Sequence, residues 1–208
     1  MMPAVWVNDG DILDAGTAHS LWEAKVAEPI RFLFAGRLMV NKGVDVLLAA
    51  LRSIDARGVE IRVDIIGSGE RRQTCVTAST DLKTVRLSVL DPVPYGKPFF
   101  DLVQRYHMML VPSLSDEQPR IVFDANAQAV PIIASDTDGL RPHVAHGRTG
   151  WLVPPGDAVA LATAIERAVS SVADLRAMGM AALCAMGGIT HRAMHRKRSR
   201  ILQAHFDV

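Results

Sequence analysis

Short apolar runs alternate with helical patterns along most of this chain. Six runs of strand length occupy residues 31–36, 61–67, 85–90, 108–111, 130–134 and 151–153. After the first run, apolar residues recur at the spacing of one helix face, as in Val44, Leu47, Leu48 and Leu51. Continuous apolar runs are typical of strands that are buried on both faces. The alternation therefore predicts a doubly wound parallel sheet, a Rossmann-like α/β fold with helices on both faces.

The size and composition of the chain favour one main domain. Its 208 residues are 49% hydrophobic and 22% charged, which is ordinary for a globular protein. We divide it into a lead-in segment at 1–28, a Rossmann-like ligand-binding domain at 29–170 and C-terminal helices at 171–208. The formal net charge of +1 gives no bulk attraction to nucleic acid. Cys75 and Cys184 lack the paired spacing of a metal or redox site, which favours a reducing compartment.

The two ends of the chain carry weaker signals. The first residues lack the basic and apolar segments of a secretory signal, and no apolar run reaches the roughly 18 to 20 residues that span a bilayer. These features predict a cytoplasmic protein. The final segment, HRAMHRKRSRILQAHF, is strongly basic. Such a helix can contact a membrane surface or nucleic acid, but we interpret it as a solvated helix face.

Charged residues and glycines follow the predicted strands at the edge where parallel sheets bind ligands. Arg37 and Lys42 lie in one loop after the first strand, where two cations could neutralise a diphosphate or pair with surface carboxylates. Gly67 and Gly69 follow the second strand and are equally expected for a tight turn. They lack the third glycine of a dinucleotide fingerprint, which counts against a dehydrogenase.

The loop after the fourth strand joins two acidic residues to a helix start. Asp116 lies in the loop and Asp124 lies one to two turns into a helix that Pro119 is expected to open. The backbone N–H groups from Arg120 to Val122 would be the unpaired donors of that helix, and they favour a phosphate. Both carboxylates could therefore reach one ligand that lies across the helix start.

Taken in order, these segments resemble the C-terminal, donor-binding domain of retaining GT-B glycosyltransferases, specifically family 4, also called group 1. The matching segments read FAGRLMVNKGVDVLLAAL, VDIIGSG, VPSLSDEQPRIVFDANAQAVPIIASDTDGL and HGRTGWLVPPGDAVALATAI. They run from about Arg31 to Val169. The resemblance implies transfer of a hexose-type sugar from a nucleoside diphosphate sugar. No cofactor and no metal are implied.

The resemblance also implies the role of each candidate residue. Arg37 and Lys42 would hold the donor diphosphate together with the backbone amides of Arg120, Ile121 and Val122. Asp116 would be the catalytic residue that faces the transferred sugar, and Asp124 would bind the ribose hydroxyls. The loop from Leu90 to Val93 would hold the base. The roles of Asp116 and Asp124 are those of the family's two glutamates, which fall on these two positions.

The chain departs from that family in three ways. Aspartate replaces both glutamates, and a misplacement of about 1 Å can cost catalysis on the order of 100-fold. Glu117 follows Asp116 directly and is an alternative sugar-facing residue. His107 stands where the family has an acid, and we interpret it as structural. Finally, nothing before Arg31 is long enough for the second, acceptor-binding domain of a GT-B enzyme.

Three hypotheses remain open on the sequence alone. The chain is the donor half of a truncated or split transferase that needs a separate acceptor domain or chain, with or without activity when isolated. Alternatively, it is a non-catalytic module that binds nucleotide sugars. The third hypothesis is an unrelated doubly wound protein, such as a sugar-phosphate epimerase or a hydrolase fragment.

Overall fold

A computed structural model describes residues 5–115 and 120–206, and these contain one six-stranded parallel sheet. Its strands are β1 (Arg31–Ala35), β2 (Ile61–Ile66), β3 (Val85–Leu90), β4 (Met108–Val111), β5 (Ile132–Ser135) and β6 (Gly150–Val153). Their order across the sheet is β3-β2-β1-β4-β5-β6, and every neighbouring pair is parallel. The order reverses between β1 and β4, which is where doubly wound sheets bind ligands. The predicted fold is confirmed.

The helices are α1 (Ala15–Val26), α2 (Val44–Ala56), α3 (Arg72–Asp81), α4 (Lys97–Val103), α5 (Arg120–Ala127), α6 (Ala158–Ser170), α7 (Val172–Ala185) and α8 (His191–Phe206). Asp157 caps α6 as expected, because its side chain accepts a hydrogen bond from the Ala160 N–H at 2.8 Å. Of the helices described, none alone is long and apolar enough to cross a membrane. Only α6 and α7 together, bent by 103° at their junction, have the length and composition to do so.

Alternate residues of each strand pack on opposite faces of the sheet, as the pleat requires. In β1, Phe32 and Phe34 join the cluster under α2 and α6, whereas Leu33 joins the cluster under α4 and α5. All three side chains are buried. The near-continuous apolar character of the strands therefore reflects two covered faces.

The described part of the lead-in segment packs onto the same domain. Val5 and Val7 are buried in the cluster under α4 and α5, and Trp22 of α1 is fully buried in the other. The Trp22 indole N–H donates to the Ala129 carbonyl at 2.9 Å. Residues 5–28 thus contribute to the core as well as leading into β1.

Buried polar side chains tie α1 to the start of β1 and β4. The Lys25 ammonium donates to the Tyr106 carbonyl at 3.0 Å. His107 accepts from the Arg31 N–H through Nδ1 at 3.1 Å, so its Nε2 carries the proton that reaches the Lys25 carbonyl at 3.0 Å. His107 is fully buried at the amino end of β4. It has the structural role expected from the sequence.

Candidate functional site

An open cleft of about 1120 Å³ lies at the carboxyl ends of the central strands. Its floor includes Phe34 and Ala35 of β1, Ile66 of β2, and Leu110 and Val111 of β4. This is the edge where the loops after β1, β2, β3 and β4 gather, as expected for a parallel sheet. Seven of the predicted site residues line it: Arg37, Lys42, Gly67, Val93, Arg120, Ile121 and Asp124.

Three cationic side chains from two separate parts of the sequence meet in this cleft. Arg37 follows β1, Lys42 ends a 3-10 turn at Val40–Lys42, and Arg120 begins α5. Burial, with additional repulsion from Arg37 and Arg120, lowers the pKa of Lys42 below its ordinary value. The protein thus holds positive charges close enough to repel one another, which is an arrangement that an anion stabilises.

The loop after β1 and the loop after β4 are joined directly. The Leu114 N–H donates to the Asn41 carbonyl at 2.9 Å. This backbone bond fixes the turn that carries Lys42 against the chain that leads towards α5. A backbone hydrogen bond thus holds the turn of Lys42 against the loop that follows β4.

Asp124 is a buried carboxyl at the wall of the cleft. Its side chain accepts a hydrogen bond from the Tyr95 hydroxyl at 2.8 Å. Burial raises the pKa of Asp124 to about 7, although the Tyr95 hydrogen bond and the charge of Arg120 act in the opposite direction. Burial is also the main cause of the raised pKa of Tyr95. The carboxyl and the phenol thus form one hydrogen-bonded pair.

Three other predicted residues lie outside the cleft lining. Gly69 packs against the backbone of Leu38. A glycine is needed there because a side chain would clash where the two loops meet. The Leu90 carbonyl accepts hydrogen bonds from the Gly67 N–H at 3.3 Å and from Arg72 at 3.2 Å. The Val122 side chain is fully buried in the core. Only the backbone amide of Val122 could meet a ligand.

The predicted catalytic residue, Asp116, lies outside the described residues. Its alternative, Glu117, and the residue expected to open the helix, Pro119, lie there too. The described part of α5 begins at Arg120. The sugar-facing role of Asp116 or Glu117 therefore stays a prediction.

Two parts of the cleft were not anticipated from the sequence. One face of α8 contributes His191, Met194, His195 and Arg198. Their spacing is that of a single helix face, but the basic composition of α8 led only to the interpretation of a solvated helix face. Arg192, Arg196 and Lys197 are exposed, in agreement with that interpretation. The part of α8 that lines the cleft was not predicted.

The second unanticipated part is aromatic. Trp6 lines the cleft, and the Arg120 guanidinium lies 4.9 Å from the centroid of its ring. Tyr95 also lines the cleft, only two residues after the predicted base contact Val93. Both lie in irregular segments without a periodic signal. Within residues 5–115 and 120–206 no group of three His, Cys, Asp or Glu side chains is arranged to hold a metal ion.

The sequence matches known proteins over most of its length. The family model described as Glycosyl transferases group 1 matches residues 29–171. Amylovoran biosynthesis glycosyltransferase AmsK from Erwinia amylovora is 30% identical over 164 residues, which are 74% of this chain and 40% of AmsK. The chain therefore spans less than half the length of this relative.

Solved structures share the fold. Sucrose-phosphate synthase from Thermosynechococcus elongatus matches with a TM-score of 0.81 at 22% identity, over 100% of this chain and 53% of that chain. HepE from Anabaena, solved in complex with UDP-glucose, matches with a TM-score of 0.76 at 18% identity, over 96% of this chain and 56% of that chain. The architecture is that of one Rossmann-like half of a GT-B protein. Because the family model covers more than half of the sequence, this chain belongs to the group 1 glycosyltransferases.

Proposed function

We propose that this chain is the donor-binding half of a retaining glycosyltransferase, which transfers a hexose-type sugar from a nucleoside diphosphate sugar. The observation that carries the proposal is the convergence of Arg37, Lys42 and Arg120 in one cleft at the carboxyl ends of the strands. Two cations from the loop after β1 and a third from the start of α5 suit the two charges of a diphosphate. They also suit the growing charge on the leaving diphosphate when the bond to the sugar breaks.

The base, the diphosphate and the sugar of the donor are each proposed to contact a different part of the cleft. The base lies against the loop of Val93, the diphosphate lies at Arg37, Lys42 and the first turn of α5, and the sugar lies towards Asp116. The UDP-glucose complex of HepE supports UDP as the first nucleotide to test. Retention at the anomeric carbon and the catalytic role of Asp116 rest on the family resemblance.

Transfer to an acceptor is proposed to need a second Rossmann-like domain or chain. The described residues form a single sheet, and the chain matches 53% and 56% of two solved chains. We expect no metal requirement, because cationic side chains already occupy the place where a metal would neutralise the diphosphate. A titration with the nucleotide in excess EDTA tests this directly, and loss of binding on chelation would contradict it.

The test of donor binding is a calorimetric titration of the chain with UDP, GDP and ADP, each compared with its nucleoside. Arg37→Ala and Lys42→Ala are expected to weaken binding of the diphosphate by roughly 10- to 100-fold, as for the loss of a charge-assisted hydrogen bond. Binding of the nucleoside should change little. Arg52→Ala, which removes an exposed arginine of α2 away from the cleft, is the matched control. Equal losses for diphosphate and nucleoside would contradict the proposal.

A non-catalytic nucleotide-sugar-binding module is the second candidate. The observation that favours it is the aspartate at both positions where the family has glutamate, since a carboxylate misplaced by about 1 Å can cost catalysis on the order of 100-fold. The two functions are distinguished by incubating UDP-glucose with the chain and a separately supplied acceptor domain. Sugar transfer that Asp116→Asn abolishes identifies an enzyme, whereas binding without transfer identifies a module.

A further inference from the structure

Tyr95 and Asp124 differ sharply in how far they are open to the cleft. Tyr95 is 51% exposed, whereas Asp124 is only 4% exposed. The Tyr95 hydroxyl donates to Oδ1 of Asp124 at 2.8 Å. A molecule that enters this part of the cleft therefore meets the tyrosine before it meets the carboxylate.

We infer that Tyr95, rather than Asp124, is the residue that contacts the ribose of the bound nucleotide. This inference rests on the function proposed above. A phenol oxygen donates one hydrogen bond and accepts others. The Tyr95 hydroxyl donates a hydrogen bond to Asp124 and accepts one from a ribose hydroxyl, and Asp124 acts through it as a positioning residue.

The position of the pair fits a ribose. Val93, two residues before Tyr95, and Arg120, one turn before Asp124, both line the cleft. The function proposed above assigns Val93 to the base and Arg120 to the diphosphate. The hydrogen-bonded pair thus joins a residue next to the proposed base contact with a residue next to the proposed diphosphate contact. In a nucleoside diphosphate the ribose joins those two groups.

The Tyr95 ring is held in place by α4. It stacks on Phe99, with centroids 6.1 Å apart and an angle of 27° between the rings, and it meets Phe100 edge-on at 5.5 Å. A rigid hydroxyl loses little freedom when it binds a ligand. The ring thus holds the hydroxyl in position before the nucleotide arrives.

The arrangement also accounts for an aspartate at this position. The side chain of Asp124 is one methylene shorter than the glutamate of the family, and it lies almost entirely below the surface of the cleft. The phenol extends the hydrogen-bonding group of Asp124 outwards. A donor–acceptor chain of this kind strengthens each of its bonds through mutual polarisation.

The test compares UDP with 2′-deoxy-UDP and 3′-deoxy-UDP by calorimetry. The wild type is expected to prefer UDP over at least one of them by roughly 10-fold, which corresponds to one hydrogen bond. Tyr95→Phe should abolish that preference, because it should weaken the binding of UDP and leave the binding of the deoxy analogue unchanged. Asp124→Asn should reduce the preference only in part, because the amide oxygen still accepts from Tyr95.

Tyr106→Phe is the matched control, because the Tyr106 hydroxyl also donates to an aspartate, Asp64, at 2.7 Å, and Tyr106 does not line the cleft. It should leave the ribose preference unchanged. A Tyr95→Phe variant that keeps or increases the preference would overturn the inference, because Asp124 would then contact the ribose itself. So would a wild type that binds UDP and both deoxy analogues equally, and in both cases the proposed function still stands. A wild type that binds no nucleoside diphosphate overturns both.

Discussion

The backbone of Gly43 lies directly on the carbonyl group of Pro112. A Cβ atom at Gly43 would be 1.8 Å from the Pro112 oxygen and 2.6 Å from its carbon. Gly43 also has a positive φ of 72°. The turn that carries Lys42 is therefore seated on the start of the loop that leads from β4 towards α5, and no larger residue can replace this glycine without moving one of the two.

Replacing Gly43 tests this contact. Gly43→Ala should lower the free energy of unfolding by several kcal/mol, because about 1–2 kcal/mol of left-handed strain adds to a backbone clash. It should also weaken nucleoside diphosphate binding. Gly58→Ala is the control, since Gly58 has a φ of 73° and nothing within 4 Å of the added Cβ. Urea denaturation measures the free energy of unfolding of both variants. Equal losses for Gly43→Ala and Gly58→Ala would show that the contact with Pro112 is unimportant.

Asp124 should make the stability of the protein depend on pH. Its pKa is raised from 3.8 to about 7 on folding, so the native state holds a proton that the unfolded state has lost. The free energy of unfolding therefore falls as the pH rises from about 4 to about 7, by on the order of a few kcal/mol. The nearby groups that act on Asp124 are Tyr95, Arg120 and Asp11.

Asp124→Asn should remove this dependence. The variant should match the wild type near pH 4 and exceed it in stability at pH 8, as measured by urea denaturation at each pH. Asp81→Asn changes an exposed aspartate at the end of α3 and is the control. A stability difference between wild type and Asp124→Asn that stays constant from pH 4 to pH 8 would disprove the raised pKa.

Lys25 should make the free energy of unfolding depend on pH in the direction opposite to Asp124. Burial lowers its pKa from 10.5 to about 7, so between these values the unfolded state binds more protons than the native state. The free energy of unfolding of the wild type should therefore rise with pH across this window, by at most about 1.4 kcal/mol per pH unit. Lys25→Met should lack that rise, whereas Lys83→Met, which changes an exposed lysine, should keep it. Parallel pH profiles for wild type and Lys25→Met would contradict the prediction.

Gly179 lies in α7 at the contact with α1. Alanine is the better helix former by about 1 kcal/mol, which on its own predicts stabilisation. A Cβ at Gly179, however, would lie 2.2 Å from the Ala129 oxygen and 2.9 Å from the Trp22 indole nitrogen. We expect the clash to dominate, so that Gly179→Ala lowers the free energy of unfolding by roughly 1–3 kcal/mol.

The control for this prediction is Gly187→Ala, where the added Cβ would lie 3.5 Å from the Cys184 oxygen, an ordinary contact distance. Thermal unfolding followed by circular dichroism compares the two variants. A higher melting temperature for Gly179→Ala than for the wild type would mean that α1 and α7 separate easily.

The sheet and the placement of Arg37 and Lys42 at its ligand-binding edge were predictable because their signals are local. Each strand is a short apolar run, and the observed strand bounds lie within two residues of the predicted ones. Once the strands are parallel, the loop of Arg37 and Lys42 and the start of α5 must meet at one edge. Their convergence follows from topology, with no need to know any side-chain contact.

The Tyr95 contact could not be predicted in the same way. Tyr95 lies in an irregular loop, and its partner Asp124 is 29 residues away. No period or spacing links them. The position of α8 was missed for a related reason: the spacing of His191, His195 and Arg198 defines a helix face, but only tertiary packing decides what that face meets. Local patterns determine elements, whereas contacts between irregular segments need coordinates.

The place of Trp6 beside Arg120 gives the protein an optical probe of its own. Trp22 and Trp151, the other two tryptophans, are buried in the core, whereas Trp6 is 53% exposed at the cleft. A phosphate that draws the Arg120 guanidinium away from the indole changes the surroundings of this one fluorophore. Occupancy of the cleft can thus be followed by intrinsic emission without any label, and Trp6→Phe supplies the silent reference.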